Sequence, residues 1–227
     1  MKPYILFIVA TFLFSLQAAC QPVTSQSSQI PSQTDLEPIE VPADKNGIKR
    51  AYFASGCFWC VEAVYESVRG VKESISGYSG GHTKNPTYQS SNTGRTGHAE
   101  AVEIFYDPEV ISFSQLVDVY FGSQDVTQVN GQGPDRGSQY RSILFYQNEE
   151  EKKIIVEKIT EINKQLKGKK VAAEVYPFRK FWVGEDYHQN YEKLHPNQPY
   201  IRGVSVPRLK RFQSKFPDLL KEGAGGH

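Results

Sequence analysis

KRAYFASGCFWCVEAVYESVRG, residues 49–70, changes its hydrophobic period at Gly56, and the change places the chemistry of the chain. Residues 49–54 read as a strand. Beyond the glycine, Val61, Val64, Tyr65 and Val68 recur at helical spacing and predict a helix over residues 59–69. Cys57 thus stands where a strand ends and a helix begins. Free backbone N–H groups and the helix dipole favour negative charge at that point. The position predicts a thiol that ionises below the ~8.5 of a free cysteine, and the thiolate is the nucleophile. Cys60 follows one helical turn on, close enough to bond to Cys57 if that turn unwinds slightly. Redox or nucleophilic cysteine chemistry is the reading. A structural disulfide would remove little chain entropy over so short a loop. Zinc lacks a second cysteine pair, and His82, His98, His188 and His195 are scattered. Two inert core cysteines are the remaining alternative, against which Gly56 argues for a tight turn.

The chain has 227 residues, enough for one domain with a full core, and a formal net charge of +1. Without a long basic run, no nucleic-acid partner is expected. Lys2 precedes an apolar run over residues 4–16, too short for a stable span. The run ends in Gln17-Ala18-Ala19-Cys20, which resembles a bacterial lipoprotein signal, although Gln17 stands where such signals usually carry Leu. Residues 1–19 are therefore expected to be a signal peptide, with Cys20 lipidated and the protein exported to the periplasm or cell envelope, anchored to a membrane. Ordinary secretory cleavage after Ala19 is the second reading, and either leads to a compartment where disulfides persist. Residues 20–46, rich in Ser, Gln, Pro and Thr, read as a flexible tether, and the Gly-rich residues 222–227 as a disordered tail.

The folded domain is expected over residues 47–221. A β-like piece spans 72–79, a Gly-rich loop 80–97, and a strand 98–106 closed by Asp107-Pro108. Ser112 or Ser114 caps a helix carrying Leu116, Val117 and Tyr120. A strand over 138–146 leads to a helix capped by Asn148, with Glu149, Glu150 and Glu151 in its first turn and Gly168 at its end. A fifth strand covers 171–176. The order βαββαβ predicts an α/β (α+β) two-layer ferredoxin-like plait, helices on one face, with extra C-terminal elements. Loops 80–97 and 122–137 are long enough to be functional.

Along the 98–106 strand, Glu100 shares a face with Val102, Ile104 and Tyr106. A carboxyl there is partly desolvated and suited to donate a proton, unless it lies at a solvated strand end. Tyr88 and Tyr140 can donate hydrogen bonds or be ordinary half-buried aromatics. Residues 131–137, which include Asp135, form a polar, tightly turned loop or a plain connection. Phe58 and Trp59 beside the thiol are either core or an apolar wall against a substrate.

GCFWC with Val61-Glu62, GYSGGHTKNPTY (77–88), TGHAEAV (96–102), YDP (106–108), GQGPDRGSQYRS (131–142) and EDYHQNY (185–191) together resemble a peptide methionine sulfoxide reductase of the A type. The resemblance runs from about Ile48 to Leu220. It implies that Cys57 attacks the sulfur of methionine-S-sulfoxide, free or protein-bound. Glu100, Tyr88 and Tyr140 then hold and protonate the departing oxygen, Asp135 supports that network, and Phe58 and Trp59 receive the methyl group. Cys57 is left as a sulfenic acid. The resemblance also implies no cofactor, no metal, a thioredoxin-type reductant and a monomer, in a protein that repairs oxidised proteins. Two departures stand out. Many members carry Gly at the place of Cys60 and keep resolving cysteines near the C-terminus, where this chain has none, so Cys60 is the candidate resolving residue, through a Cys57–Cys60 disulfide. Ser123-Gln124-Asp125 stands where the family often has His-Asp-Pro. An exported CxxC thiol–disulfide oxidoreductase is the alternative enzyme, and a binding lipoprotein with a structural disulfide the alternative without catalysis.

Overall fold

The computed structural model of the chain describes residue 34 and residues 36–224; Cys20 and the signal lie outside the described residues. Eight strands and six helices follow in the order β1 Lys49–Ser55, α1 Phe58–Glu66, β2 Val71–Ser79, α2 Tyr88–Asn92, β3 Ala99–Tyr106, α3 Phe113–Gly122, β4 Gly131–Gln132, β5 Asp135–Arg136, β6 Ser142–Tyr146, α4 Glu149–Gln165, β7 Glu174–Pro177, β8 Phe181–Val183, α5 Tyr191–Leu194 and α6 Val206–Lys215. The main sheet runs β7-β6-β1-β3-β2-β8, and β4 and β5 make a separate small hairpin. Its middle, β6-β1-β3-β2, is antiparallel throughout and has the strand order of a ferredoxin-like plait. Edge strand β7 pairs parallel with β6, and β8 antiparallel with β2, making the sheet mixed. The expected α/β plait is the observed fold.

Alternation along β1 builds the two layers. Ala51 and Phe53 enter the large core beneath the helices, together with Val61, Val64 and Tyr65 of α1, Leu116 and Val117 of α3, and Ile155 of α4. Tyr52 and Ala54 point to the other face, where a smaller cluster includes Phe145, Phe178 and Phe181. There Tyr52 stacks on Phe178 at 3.7 Å. Within the stretch read as tether, the Ile39 amide donates to the Phe178 carbonyl at 2.7 Å and the Val41 amide to Gln147 Oε1 at 3.0 Å. Ser112, not Ser114, caps α3, in a reciprocal box with Gln115. Asn148 caps α4, whose first turn carries the three glutamates.

Several boundaries differ from the sequence reading, each for a local reason. Residues 138–140 form a 3-10 turn rather than the start of a strand, because Gly137 takes φ 132° and redirects the chain. The long loop over 80–97 contains α2, whose Thr87 cap exchanges hydrogen bonds with Ser90. The β4–β5 hairpin occupies the second long loop. Helix α1 ends at Glu66, where Ser67 turns its hydroxyl back to the Val64 carbonyl. A π-helical turn, Ile201–Ser205, runs straight into α6. Among the described residues no helix is long and apolar enough to cross a membrane.

Gly77 marks the closest approach between β2 and β8: a Cβ there would stand 2.3 Å from the Trp182 carbonyl oxygen and 2.5 Å from the Phe181 ring. Gly77→Ala should therefore push β8 off the sheet and cost roughly 1–3 kcal/mol, the usual range for overpacking. Urea unfolding checks this, and an unchanged midpoint would show that β8 yields freely.

Candidate active site

The site starts at the turn predicted from residues 49–70. Gly56 takes φ +86°, and a Cβ on it would meet Gln132 Cβ at 2.5 Å, so glycine is required both by conformation and by space. Cys57 is the N-cap of α1, with no side-chain cap bond of its own. The Phe58 amide, the first free donor of the helix, is taken by Glu100 Oε2 at 3.0 Å. Glu100 is 2% exposed, on the core face of β3 as its spacing predicts. Burial pushes its carboxyl up to about 8, against the pull of the Phe58 amide, with Asp135 and Cys60 adding to the rise. Glu100 is thus an acid that keeps its proton at neutral pH.

The expected acidic Cys57 is corrected by the structure. Burial pushes its thiol well above the free value, and the hydrogen bond and charge of Cys60 and the charge of Glu100 push the same way. The helix N-terminus does not offset this, since its first donor already serves Glu100. Cys60 is the acidic thiol of the pair. The hydrogen bond with Cys57, then the charge of Arg208 and the hydrogen bonds of Ser205 and Tyr200, together lower it to about 7 against burial. Both cysteines are buried and free.

Cys57, Phe58, Trp59, Tyr88, Glu100, Asp135 and Tyr140 line one pocket of about 280 Å³, joined by Gln198 and Tyr200. Four separate segments deliver them: α1, the first residue of α2, β3, and the stretch from β5 to the 3-10 turn at Ser138–Tyr140. The tyrosines Tyr88 and Tyr140 are held as neutral donors, burial raising both. Cys60 opens instead on a larger cleft of about 760 Å³, and Asp135 lines both spaces. Between them sits Tyr200, whose hydroxyl donates to Asp135 Oδ2 at 2.6 Å and lies 3.7 Å from Cys60 Sγ.

A second ring of residues fixes the aromatic wall; the sequence shows most of them within Val61-Glu62 and EDYHQNY (185–191) but gives them no role. Trp59 stacks on Tyr191 at 3.7 Å and 7°, and its indole N–H donates to His188 Nδ1 at 3.1 Å. His188 also packs 4.8 Å from Phe58 and 4.7 Å from Tyr88. The segment carrying these residues is tied down by buried Glu62, which accepts from Ser76 Oγ and the Asn190 amide. Asn190 takes the left-handed φ of 54°. Burial raises Glu62 to about 7. Glu185 accepts from the Tyr78 hydroxyl and the Tyr88 amide, each at 2.8 Å, and so joins β2 to α2. The signal that could have found this ring is the apolar spacing of α1, on which Glu62 falls among Val61, Val64 and Tyr65 as a carboxylate in a core position. Among the described residues no group of three or more His, Cys, Asp or Glu could hold a metal.

Comparison with known proteins agrees with this arrangement. The family model "Peptide methionine sulfoxide reductase" matches residues 49–220. The peptide methionine sulfoxide reductase MsrA of Saccharolobus solfataricus is 47% identical over 171 residues, 75% of this chain and 96% of that protein. That of Pasteurella multocida is 42% identical over 173 residues, 76% of this chain and 99% of that protein. Among solved structures, Mxr1 from Saccharomyces cerevisiae in reduced form superposes with a TM-score of 0.63 at 31% identity, covering 73% of this chain and 93% of that one. Methionine sulfoxide reductase A of Corynebacterium diphtheriae gives 0.58 at 28% identity, over 73% and 88% of the two chains. Over residues 49–220, from the first strand to just beyond the C-terminal helix, this chain belongs to the peptide methionine sulfoxide reductase family.

Proposed function

We propose that this protein reduces methionine-S-sulfoxide, free or in oxidised proteins, and that it does so outside the cytoplasm from a lipid anchor at Cys20. The observation that carries the reading is the meeting of Cys57 with a proton-bearing Glu100 in one small pocket walled by aromatic rings. A sulfoxide oxygen leaves only when protonated. The substrate methyl group sits against Phe58 and Trp59, and the oxygen faces Glu100, Tyr88 and Tyr140. Cys57 Sγ attacks the substrate sulfur as the S–O bond breaks, and Glu100 lends its proton to the oxygen. The thiol proton completes the departing oxygen as water, and a bond joins Cys57 Sγ to the substrate sulfur. Water then attacks Cys57 Sγ and breaks that bond, leaving Cys57 as a sulfenic acid and returning a proton to the Glu100 carboxylate. Two electrons pass from the Cys57 sulfur to the substrate sulfur, and methionine leaves. Asp135 supports the network by accepting from Tyr200.

Cys60 then condenses with the sulfenic acid, expelling water and forming the Cys57–Cys60 disulfide, which a thioredoxin-type dithiol reduces. An enzyme specialised for disulfide exchange gains nothing from a buried acid flanked by two phenols, and that favours sulfoxide chemistry over the CxxC alternative. Family membership supports the same choice.

The decisive experiment is a single-turnover assay with mass spectrometry of the quenched enzyme. Wild type should release methionine from the S epimer and acquire the Cys57–Cys60 bridge, while the R epimer, with oxygen and methyl interchanged, should be very poorly reduced. Cys57→Ser should release none. Cys60→Ser should release about one equivalent and then stall with thioredoxin as reductant. Sustained thioredoxin-driven turnover by Cys60→Ser would remove it from the mechanism.

Because Glu100 acts while protonated, methionine release should be full below pH about 8 and fall as pH rises through that value. Glu100→Gln should lower the rate by roughly 10²–10⁴ and abolish that alkaline limb. A limb unchanged in the variant would assign it to another group.

The anchor is tested separately. Full-length protein should partition with membranes, and Cys20→Ala should release it or block its processing. A mature N-terminus at Cys20 with a free amine and no added mass would refute the anchor.

A further inference from the structure

Arg208, on α6, is a buried cation for which the chemistry above has found no use. It is 7% exposed. None of the ion pairs among the described residues includes it. Its guanidinium is nonetheless fixed on three sides, donating from Nε to the Ser123 carbonyl at 2.8 Å, from Nη1 to the Ser55 carbonyl at 2.9 Å and from Nη2 to Ser55 Oγ at 3.1 Å. All three acceptors are neutral. The Asp135 carboxyl lines the same cleft, raised by burial and lowered by the Tyr200 hydrogen bond and the Arg208 charge, but the two form no ion pair. Arginine cannot shed its charge, and a buried charge held by neutral acceptors alone is costly to maintain. Such a group makes sense where an anion appears during the working cycle. Cys60 and Arg208 line the same cleft, and Ser55 places the guanidinium directly behind the Gly56–Cys57 turn.

We propose that Arg208 is the electrostatic partner of Cys60, stabilising the thiolate that resolves the Cys57 sulfenic acid and the same thiolate when the reductant opens the disulfide. The inference rests on the sulfoxide reductase reading for its first half. In the resolving step the Cys60 thiolate attacks the Cys57 sulfur. The S–S bond forms, the S–O bond breaks, and the hydroxide takes a proton and leaves as water. Cys60 is oxidised by one electron and the sulfenic sulfur reduced by one. In the reducing step a dithiol's thiolate attacks Cys57 Sγ, and Cys60 leaves as thiolate toward Arg208. The second thiol of the reductant then attacks the mixed disulfide, frees Cys57 and closes the reductant's own disulfide. Cys60 is the better leaving group of the two, since thiols of lower pKa leave faster.

Groups facing Cys60 come from every neighbouring element. They are Cys57 at the turn, Glu100 from β3, Asp135 from β5, Tyr200 and Ser205 from the π-helical turn, and Arg208 from α6, with Arg211 and Asp125 further along the cleft. Arg208 is the cation among them that is buried and locked in place. Arg208 acts through Cys60 and not on the substrate, so it is a positioning residue.

The test compares full-length wild type, Arg208→Met and Arg208→Lys. Each reduced enzyme is mixed with methionine-S-sulfoxide and quenched over time, and methionine, sulfenic acid and disulfide are counted. Near neutral pH, Arg208→Met should convert sulfenic acid to disulfide about tenfold or more slowly relative to methionine release in the same sample. The deficit should close above about pH 9, where the thiol ionises unaided. Arg208→Lys should recover much of the rate. A role confined to holding α6 would instead slow both steps alike at every pH. Iodoacetamide labelling of Cys60 in a Cys57→Ser background provides a readout that needs no sulfoxide: Arg208→Met should move its pH midpoint upward. Labelling with an unmoved midpoint overturns the proposal, as does disulfide formation slowed equally at both pH values. If wild type releases no methionine, the sulfoxide reading fails, and the labelling experiment still decides the role of Arg208.

Discussion

One hydrogen bond organises the catalytic end of the molecule: the Phe58 amide donating to Glu100 Oε2. It joins the start of α1 to β3 and holds a carboxyl that burial alone would expel. It also occupies the donor that would otherwise stabilise a Cys57 thiolate. Acid and nucleophile are thus set by a single choice. Burial keeps a proton on Glu100 against the pull of that amide, and the amide is spent on the carboxyl instead of on a Cys57 thiolate, so the resting pocket holds a proton on Glu100 and a proton on Cys57. That is the proton inventory that release of a sulfoxide oxygen as water requires.

The parts of the fold readable in sequence were those with strong local signals. The strand, glycine turn and helix over residues 49–70, the capped α3 and α4, and the βαββαβ order all have a periodicity or cap that needs no distant partner. Glu100 was readable as a carboxyl on an apolar strand face because strand alternation is itself local. The failures have a common physical cause. The 3-10 turn at Tyr140 depends on the φ of Gly137, and α2 on a five-residue capped turn too short to show a period. The pKa order of the two thiols depends on Glu100, Tyr200 and Arg208, which are remote in sequence. The C-terminal elements β8, α5 and α6 are short or polar, and they are placed by contacts with β2 and α1 instead of by their own pattern.

The aromatic wall shows how much scaffolding a small pocket needs. Trp59 is exact in position only because Tyr191 and His188 hold both its face and its N–H, and these depend on Glu62, one turn along α1, anchoring Asn190. A carboxyl in a core position of a helix is expensive to bury. Here Ser76 and Asn190 satisfy its oxygens, and the helix that carries the nucleophile also fixes the segment that shapes the substrate's seat.

The two kinds of electrostatics in this protein sit in different places. Ion pairs such as Lys153–Glu157 and Lys152–Glu149 lie on the solvent-facing side of α4. The charged and titratable groups around the thiols are buried, or half-buried in the case of Asp135, and held by neutral donors and acceptors: Phe58 on Glu100, Tyr200 on Asp135, Ser55 and Ser123 on Arg208. Dissolved ions screen the first set and scarcely reach the second. The consequence concerns ionic strength: in changing salt the domain can lose its surface attractions while the field around Cys57 and Cys60 stays the same.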